Sequence, residues 1–279
     1  MIELNILKSF KKENYFSEPF PHFIQEKSFN DHTYELLEKD YNLIIEYLKK
    51  KYTFSKSNVR LQINSLEFLS TELFKKTIWF DFINFHTSED FFNSLLNIFE
   101  KDINLFYPNF KIDVNKKKVS KRSDLINNKK SNFVIDCQPG INTPNTNYSS
   151  VRGPHVDNPV ELIGGLFYLK DPLDVSVGGD LNIFRTKNKI FFKGKAEVSN
   201  ISDLQLVKKI TYDKNHSIFF LNSLSSIHSV TKREPSAFTR NLTNFVIENY
   251  NNNGYFELPR KKNLFNIISR LFKKSDLPQ

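Results

Sequence analysis

Short apolar segments rich in β-branched and aromatic residues dominate the second half of this chain, and they limit the folds open to it. Four of them, at residues 133–138, 162–169, 217–221 and 241–248, are each as long as one strand. Turn-forming residues lie between them, among them Pro172 and the pair Gly178-Gly179. Short runs of this composition, bounded by glycine, proline and polar residues, are typical of β-strands. We therefore predict a β-rich core between residues 132 and 250.

A histidine and an aspartate two positions apart, His155 and Asp157, precede the second of these segments. On a strand, side chains alternate with period two, so the two would point to the same face. A distant histidine, His228, can complete three ligands on one side of a metal. Two histidines and one carboxylate, with other positions open, suit non-haem Fe(II). Taken alone, the pair also fits a loop histidine followed by an aspartate that caps a helix.

The order of several motifs is more specific than any one of them. The motifs are His155-Val156-Asp157, Phe167-Tyr168-Leu169, Gly178-Gly179-Asp180-Leu181-Asn182-Ile183-Phe184, His228-Ser229-Val230 and Arg240. In this order they resemble the 2-oxoglutarate- and Fe(II)-dependent oxygenases, most of all the prolyl-hydroxylase-like branch, over residues 132–249. The resemblance implies an α+β chain built on a double-stranded β-helix. That core is a jelly-roll, cupin-like pair of facing antiparallel sheets, with helices from the N-terminal region packed on it.

The resemblance also implies a role for each matched residue. His155, Asp157 and His228 match the iron ligands and so form the implied catalytic centre. Arg240 matches the basic residue that pairs with the distal carboxylate of 2-oxoglutarate. An arginine suits this role because its planar fork donates two parallel hydrogen bonds to a carboxylate. Tyr168 matches a tyrosine that, in some members, donates a hydrogen bond to the same carboxylate.

A second arginine, Arg233, is a rival for that carboxylate. His228 and Arg240 are 12 positions apart, somewhat farther than in prolyl hydroxylases, and Arg233 lies within the longer connection. Arg240 is preferred because it opens a predicted strand, whereas Arg233 lies in a polar loop that contains Pro235.

The implied function is that of a dioxygenase, most simply a hydroxylase, with Fe(II), 2-oxoglutarate and dioxygen as cofactor and cosubstrates. Ascorbate is a further candidate cofactor. Such an enzyme converts 2-oxoglutarate to succinate and carbon dioxide. The prime substrate stays open between a small molecule and a peptide, a peptidyl proline included. The alternative class is a non-catalytic, metal-binding, cupin-like module, which would have no need of a carboxylate pocket around Arg240 and Tyr168.

Three zones follow from the patterns along the chain. Residues 1–131 form a helix-rich part expected to pack on the core, residues 132–250 form the catalytic core, and residues 251–279 form a basic amphipathic tail. Apolar spacing predicts a helix over residues 29–52, and Thr87 with Asp90 predicts the capping box of another. The tail is expected to dock on the protein's own body. Binding to a membrane surface or a partner is the alternative, and the oligomeric state stays open.

Composition and charge limit the partners and the cellular compartments that we expect for this protein. Forty Lys and Arg against 31 Asp and Glu give a formal net charge of +9, which could attract nucleic acid. No aromatic and basic recognition motif accompanies that charge, so a nucleic-acid partner is not expected. The single cysteine, Cys137, excludes an intrachain disulfide and fits a reducing compartment. No apolar run reaches the roughly 18 residues needed to span a bilayer. Residues 1–16 do not resemble a signal peptide, so we expect a cytoplasmic protein.

Overall fold

The helices of the chain belong to its N-terminal part. A computed structural model describes residues 2–54, 56–108, 119–121, 132–249 and 254–261. In these ranges the α-helices are α1 (Asp31–Lys51), α2 (Ser65–Ser70), α3 (Ile78–His86) and α4 (Glu89–Phe106). No helix in the described ranges is both long enough and apolar enough to cross a membrane.

The strands form two main sheets. They are β1 (Tyr15–Phe16), β2 (His22–Gln25), β3 (Arg60–Gln62), β4 (Val119–Lys121), β5 (Phe133–Asn142), β6 (Glu161–Tyr168), β7 (Leu181–Thr186), β8 (Phe192–Lys193), β9 (Glu197–Val198), β10 (Leu204–Ile210), β11 (Ser217–Leu221), β12 (His228–Val230) and β13 (Arg240–Asn249). The larger sheet has the order β1-β2-β11-β6-β13-β5-β3 and is antiparallel along this path, with β4 parallel beside β5. The smaller antiparallel sheet has the order β10-β7-β12, and β8 pairs with β9. Helices beside antiparallel sheets confirm the predicted α+β class.

The two faces of the larger sheet bury different layers. Phe219 of β11 and Phe245 of β13 pack in one apolar cluster with residues of α1, α3 and α4. The neighbouring residue Phe220 points the other way and packs with Leu181 and Ile183 of the smaller sheet. This alternation follows from the period of two along a strand. The helices therefore cover one face of the larger sheet, and the smaller sheet covers the other.

Two adjacent glycines let the phenylalanine side chains of β11 lie across β6. A Cβ atom at Gly165 would come within 2.4 Å of the Phe219 ring, and one at Gly164 within 2.8 Å of the Phe220 ring. Any larger residue would therefore push these rings out of both layers. The Gly-Gly pair marks a close approach between strands rather than a bulge.

Helix α1 is tied directly to the strands that flank the candidate site. Its cap is Asn30, whose side chain accepts a hydrogen bond from the Thr33 amide at 2.9 Å. Its buried face includes Tyr41, whose hydroxyl lies 2.7 Å from the Gly140 carbonyl and 2.8 Å from the Leu242 carbonyl. This contact fixes the helix over β5 and β13.

Some local predictions differ from the structure. The cap of α4 is Ser88, which accepts a hydrogen bond from the Phe91 amide at 3.2 Å, and not Thr87. The Thr87 hydroxyl instead donates to the Ile83 carbonyl at the end of α3, because the two helices are too close in sequence for Thr87 to serve both. The predicted tail helix lies outside the described residues. So does most of the charged segment at residues 115–131.

His86 is a buried core histidine that joins the N-terminal segment to α3. Its Nδ1 donates to the Phe82 carbonyl at 2.8 Å, and its Nε2 accepts from the Ile6 amide at 3.2 Å. Both ring nitrogens are occupied, so His86 is not available as a metal ligand. Burial lowers its pKa from 6.5 to about 3, and the ring is therefore neutral in the folded protein.

We expect the free energy of unfolding to fall as the pH falls below 6.5, because unfolded His86 then binds a proton that the folded protein excludes. The contribution of His86 to this loss should be about 1.4 kcal/mol per pH unit, or roughly 2 kcal/mol at pH 5. Urea unfolding at pH 7 and pH 5 measures it. The variant His86→Gln should lose about 2 kcal/mol less than the wild type over this interval. Equal losses in the two proteins would contradict the assignment.

Candidate active site

His155, Asp157 and His228 come together at one end of the smaller sheet. His228 opens β12, where it pairs with Ile183 of β7. The amides of His155 and His228 each donate to the other's carbonyl at 3.0 Å, so the two imidazole centroids lie 4.2 Å apart. Regular strand structure does not extend to His155 and Asp157, contrary to prediction, because His155 pairs only through isolated bridges to His228 and Glu197.

The atoms of these three residues that could bind a metal lie close together. One Asp157 oxygen lies 3.6 Å from His155 Nε2, and the other lies 3.7 Å from His228 Nε2. One ligand atom from each residue falls within 4.8 Å of the others. Two atoms bonded to one ion at about 2.1 Å lie no more than about 4.2 Å apart, so the three residues could share an ion after small side-chain movements.

Backbone carbonyls set the orientation of both imidazoles. His155 Nδ1 lies 2.7 Å from the Gly153 carbonyl, and His228 Nδ1 lies 2.8 Å from the Ser226 carbonyl. A carbonyl oxygen only accepts, so both Nδ1 atoms carry the proton and both Nε2 lone pairs face Asp157. Fixing the tautomer in this way is the usual support for a metal-binding histidine.

Protonation also suits metal binding. Burial, and then the neighbouring His155, lower the pKa of His228 to about 4, so its ring is neutral near pH 7. Burial acts to raise the pKa of Asp157, but His228, His155 and Arg152 outweigh it and hold that pKa well below its usual range. Near pH 7 the site therefore offers a neutral imidazole at His228 and a carboxylate at Asp157.

A cavity of about 250 Å³ opens onto the three residues. Its polar lining also includes Arg60, Asn142, Arg152, Arg240 and Asn244, and its apolar lining includes Val151, Leu166, Leu181, Phe220, Val230 and Leu242. The structure thus places Arg240 in the same cavity as His155, Asp157 and His228.

Arg240 is held rigidly and still has one free donor. Its Nε donates to the Gly179 carbonyl at 2.8 Å, and its guanidinium carbon lies 5.1 Å from the Tyr168 ring centroid and 4.8 Å from that of Tyr212. Only 3 % of the residue is exposed, and its Nη2 has no hydrogen-bond partner. Gly179 has φ +80°, and a Cβ there would come within 3.0 Å of Arg240 Nε, so this position requires glycine.

Two further donors near Arg240 also lack partners. The Tyr168 hydroxyl and the Asn142 Nδ2 are buried without hydrogen bonds, while Asn142 Oδ1 accepts from Arg240 Nη1 at 3.4 Å. Asn142 lines the cavity, whereas Tyr168 packs its ring on the guanidinium and is not part of the lining. Sequence reasoning missed Asn142, since only the strand register places it beside Arg240.

Arg233 is paired away from the cavity through Nη2 and Nε, although its Nη1, like Nη2 of Arg240, has no hydrogen-bond partner. Its Nη2 pairs with the Asp174 carboxylate at 2.7 Å, both side chains are 1 % exposed, and its Nε donates to Ser176 Oγ at 3.1 Å. Arg233 does not line the cavity. Its buried pair anchors the loop before Gly178-Gly179, so Arg233 acts as a structural residue, and of these two arginines only Arg240 lines the cavity.

We expect Asp174→Asn to lower the free energy of unfolding by about 3–5 kcal/mol, because it leaves the Arg233 cation buried without a counter-charge. Denaturant unfolding monitored by circular dichroism would measure the loss. Asp171→Asn, in the same loop, is the matched control. It should change stability by less than about 0.5 kcal/mol, since the amide oxygen can still accept from the Leu173 amide. Similar losses in the two variants would argue against a structural ion pair.

Comparison with known proteins adds information about the fold. No protein-family model matches the sequence, and no curated protein matches it. In structure the chain is similar to a protein from Shewanella oneidensis that is described as an oxygenase. The TM-score is 0.51 and the sequence identity is 12 %, and the similarity covers 92 % of this chain and 91 % of that one. The chain is also similar to prolyl 4-hydroxylases from Phytophthora capsici (TM-score 0.46, 14 % identity, 90 % and 68 % coverage) and Pseudomonas putida (TM-score 0.41, 10 % identity, 82 % and 92 % coverage).

At 12 % identity, the similarity to the Shewanella protein shows a shared fold and nothing finer. The predicted resemblance to the 2-oxoglutarate- and Fe(II)-dependent oxygenases is confirmed at that level. The roles of the individual site residues rest on the geometry described above.

Proposed function

We propose that this protein is an Fe(II)- and 2-oxoglutarate-dependent dioxygenase that hydroxylates its substrate. One observation carries the proposal. Two Nε2 atoms and a carboxylate converge within 4.8 Å in the same cavity as an arginine that has an unpaired, buried donor. In this reading the larger sheet and the β10-β7-β12 sheet are the two sheets of a double-stranded β-helix. Residues 132–250 are then its catalytic core, with residues 1–131 packed on it and residues 251–279 as its tail.

The donor set fits Fe(II). His155, Asp157 and His228 supply two imidazole nitrogens and one carboxylate oxygen, and this combination leaves coordination positions open for a cosubstrate and dioxygen. The backbone carbonyls of Gly153 and Ser226 keep both Nε2 lone pairs directed at the metal position. The neutral imidazole of His228 binds without first losing a proton.

The remaining donors fit the distal carboxylate of 2-oxoglutarate. Arg240 Nη2, Asn142 Nδ2 and the Tyr168 hydroxyl are all buried donors without partners. Buried donors are rarely left unpaired in folded proteins, because each costs about 1–3 kcal/mol. A carboxylate has enough lone pairs to accept from all three.

When bound, Fe(II) and 2-oxoglutarate would supply the oxidative decarboxylation to succinate and carbon dioxide that drives hydroxylation. The protein's own residues orient and shield these groups. Arg240 fixes the far end of the cosubstrate, and its own position is fixed by Gly179 and the two tyrosine rings. Leu166, Leu181 and Phe220 exclude water from one side of the cavity.

A non-catalytic metal-binding module is the second candidate. Such a protein would use the same three metal-binding residues. The three unpaired donors argue against it, because a metal alone leaves them unpaired. A peptidyl or prolyl hydroxylase is a narrower form of the main proposal and differs only in the substrate.

The test is succinate formation. Protein reconstituted anaerobically with Fe(II) is mixed with 2-oxoglutarate and air-saturated buffer, and succinate is measured over time with and without candidate substrates. We expect slow succinate formation without substrate, a faster rate with the correct one, and none for His228→Ala. Tight Fe(II) binding without any binding or consumption of 2-oxoglutarate would favour the metal-binding module instead.

A further inference from the structure

Three neighbouring strands of the larger sheet place polar residues next to one another, namely Arg60, Asn142 and Arg240. Arg60 of β3 is the register partner of Asn142 of β5, and Asn142 is the register partner of Arg240 of β13. Directly opposed residues point to the same face of a sheet, and neighbouring strands lie about 4.8 Å apart. Two guanidinium groups therefore face one cavity from either side of an asparagine.

Arg60 has a different environment from Arg240. Arg240 is buried, whereas Arg60 is exposed at the edge of the same cavity. Within the described ranges, no carboxylate lies at ion-pair distance from Arg60. Its guanidinium is cationic near pH 7, because arginine is effectively always protonated.

Arg152 adds a third cationic side chain to this cavity. Its Nη1 lies 3.5 Å from an Asp157 oxygen, a long contact that leaves its other donors free, and the side chain is 40 % exposed. Arg152 and Arg60 are therefore both accessible to a ligand that enters the cavity, whereas Arg240 is enclosed.

The charges of this lining do not balance. Three arginines and one aspartate line the cavity. Fe(II) would add two positive charges and 2-oxoglutarate two negative ones, so the loaded cavity would still hold two positive charges in excess. Like charges at such close range repel in a partly dry site. A further anion would relieve that repulsion.

We propose that Arg60 and Arg152 bind an anionic group of the prime substrate, a carboxylate or phosphate carried by a small molecule. The proposal rests on the proposed function and deepens it by naming the substrate class. Arginine donates two parallel hydrogen bonds to either group. Leu166, Leu181 and Phe220 offer space for a short apolar body. The cavity of about 250 Å³ must also hold 2-oxoglutarate, so only a small substrate would fit beside it, since sites for drug-sized ligands measure roughly 300–1,000 Å³.

The experiment uses Mn(II) in place of Fe(II), because bound Mn(II) broadens the magnetic resonance signals of nearby nuclei. The full-length protein is loaded anaerobically with Mn(II) and saturating 2-oxoglutarate, and Mn(II) binding is verified by electron paramagnetic resonance. Propionate, its neutral analogue propionamide, and inorganic phosphate are then titrated separately. Proton or phosphorus line broadening reports binding near the metal.

We expect broadening of propionate, phosphate or both, and none of propionamide. Broadening of propionate alone identifies a carboxylate substrate, and broadening of phosphate alone identifies a phosphate ester. The variant Arg60→Gln should raise the dissociation constant of the probe about three- to fivefold, the range for a partly exposed ion pair, and Arg60→Lys should restore part of it. Arg185→Gln is the matched control. Arg185 is half-exposed and pairs with Glu18 away from the cavity, so this variant should behave as the wild type.

Two results would overturn the proposal while leaving the proposed function intact. One is bound Mn(II) and 2-oxoglutarate with no broadening of either anion. The other is equal broadening in the wild type and Arg60→Gln, which would mean that the anion binds the metal directly. Failure of Mn(II) or 2-oxoglutarate to bind the wild type would overturn the proposed function, and this inference with it.

Discussion

Replacing Asp157 with alanine is expected to weaken Fe(II) binding by more than about 100-fold, because residues that merely support a metal ligand are worth roughly 10- to 100-fold in affinity. Asp157 supplies the one carboxylate among the three converging residues, and its oxygens lie between the two Nε2 atoms. Without it, two imidazoles would bind the ion with no compensating negative charge. Anaerobic titration of Fe(II), followed by calorimetry, measures the dissociation constant.

The control for this prediction is Asp213→Ala, which removes an exposed carboxylate outside the cavity. Its Fe(II) affinity should equal that of the wild type. The melting temperature of Asp157→Ala should be measured beside it, so that lost binding is not confused with unfolding. Wild-type affinity in folded Asp157→Ala protein would show that the metal site has been assigned to the wrong residues.

Replacing Arg240 with alanine is expected to raise the dissociation constant of 2-oxoglutarate at least about 30-fold. Losing a charged hydrogen-bonded pair in a partly dry pocket costs on the order of 2–5 kcal/mol, and each 1.4 kcal/mol is about tenfold. Fe(II) affinity should change little, because Arg240 donates its hydrogen bonds to Gly179 and Asn142 and not to His155, Asp157 or His228. Calorimetry with Mn(II)-loaded protein measures the cosubstrate without turnover.

Arg233→Ala is the natural comparison for that variant. It should lower the free energy of unfolding by about 3–5 kcal/mol by leaving Asp174 buried and unpaired, while folded protein keeps its affinity for 2-oxoglutarate. A larger loss of 2-oxoglutarate affinity in Arg233→Ala than in Arg240→Ala would mean that the wrong arginine has been chosen.

Four long strands of the larger sheet could be predicted from the sequence, because each is apolar and bounded by turn residues. The four predicted segments correspond to β5, β6, β11 and β13. Short edge strands such as β3 and β8 were missed, since two or three residues hold too little pattern to identify. The prediction that His155 and Asp157 lie on a strand was wrong. His155 forms only isolated bridges, which depend on tertiary contacts and not on the local sequence.

The sequence alone does not show which residues strand pairing brings together. Asn142 and Arg60 are far from Arg240 along the chain, and only the pairing of β3 with β5 and of β5 with β13 brings the three together. In the same way, the choice between Arg233 and Arg240 became clear only from the buried partner Asp174. Chemical type and order along the chain identified the candidates, while contacts across the fold distinguished among them.

β3 is an edge strand of the larger sheet, and it carries a residue of the proposed substrate site but none of the proposed metal site. The three converging residues and Arg240 belong to the β-rich second half of the chain, whereas Arg60 comes from a three-residue strand bonded to the sheet along one side. A shift of that strand by one residue would turn Arg60 to the opposite face without moving any metal-binding residue. For the proposed dioxygenase, small insertions or deletions before β3 would therefore change which substrate is bound while His155, Asp157 and His228 stay in place, so new substrate preferences could evolve around the same proposed metal site.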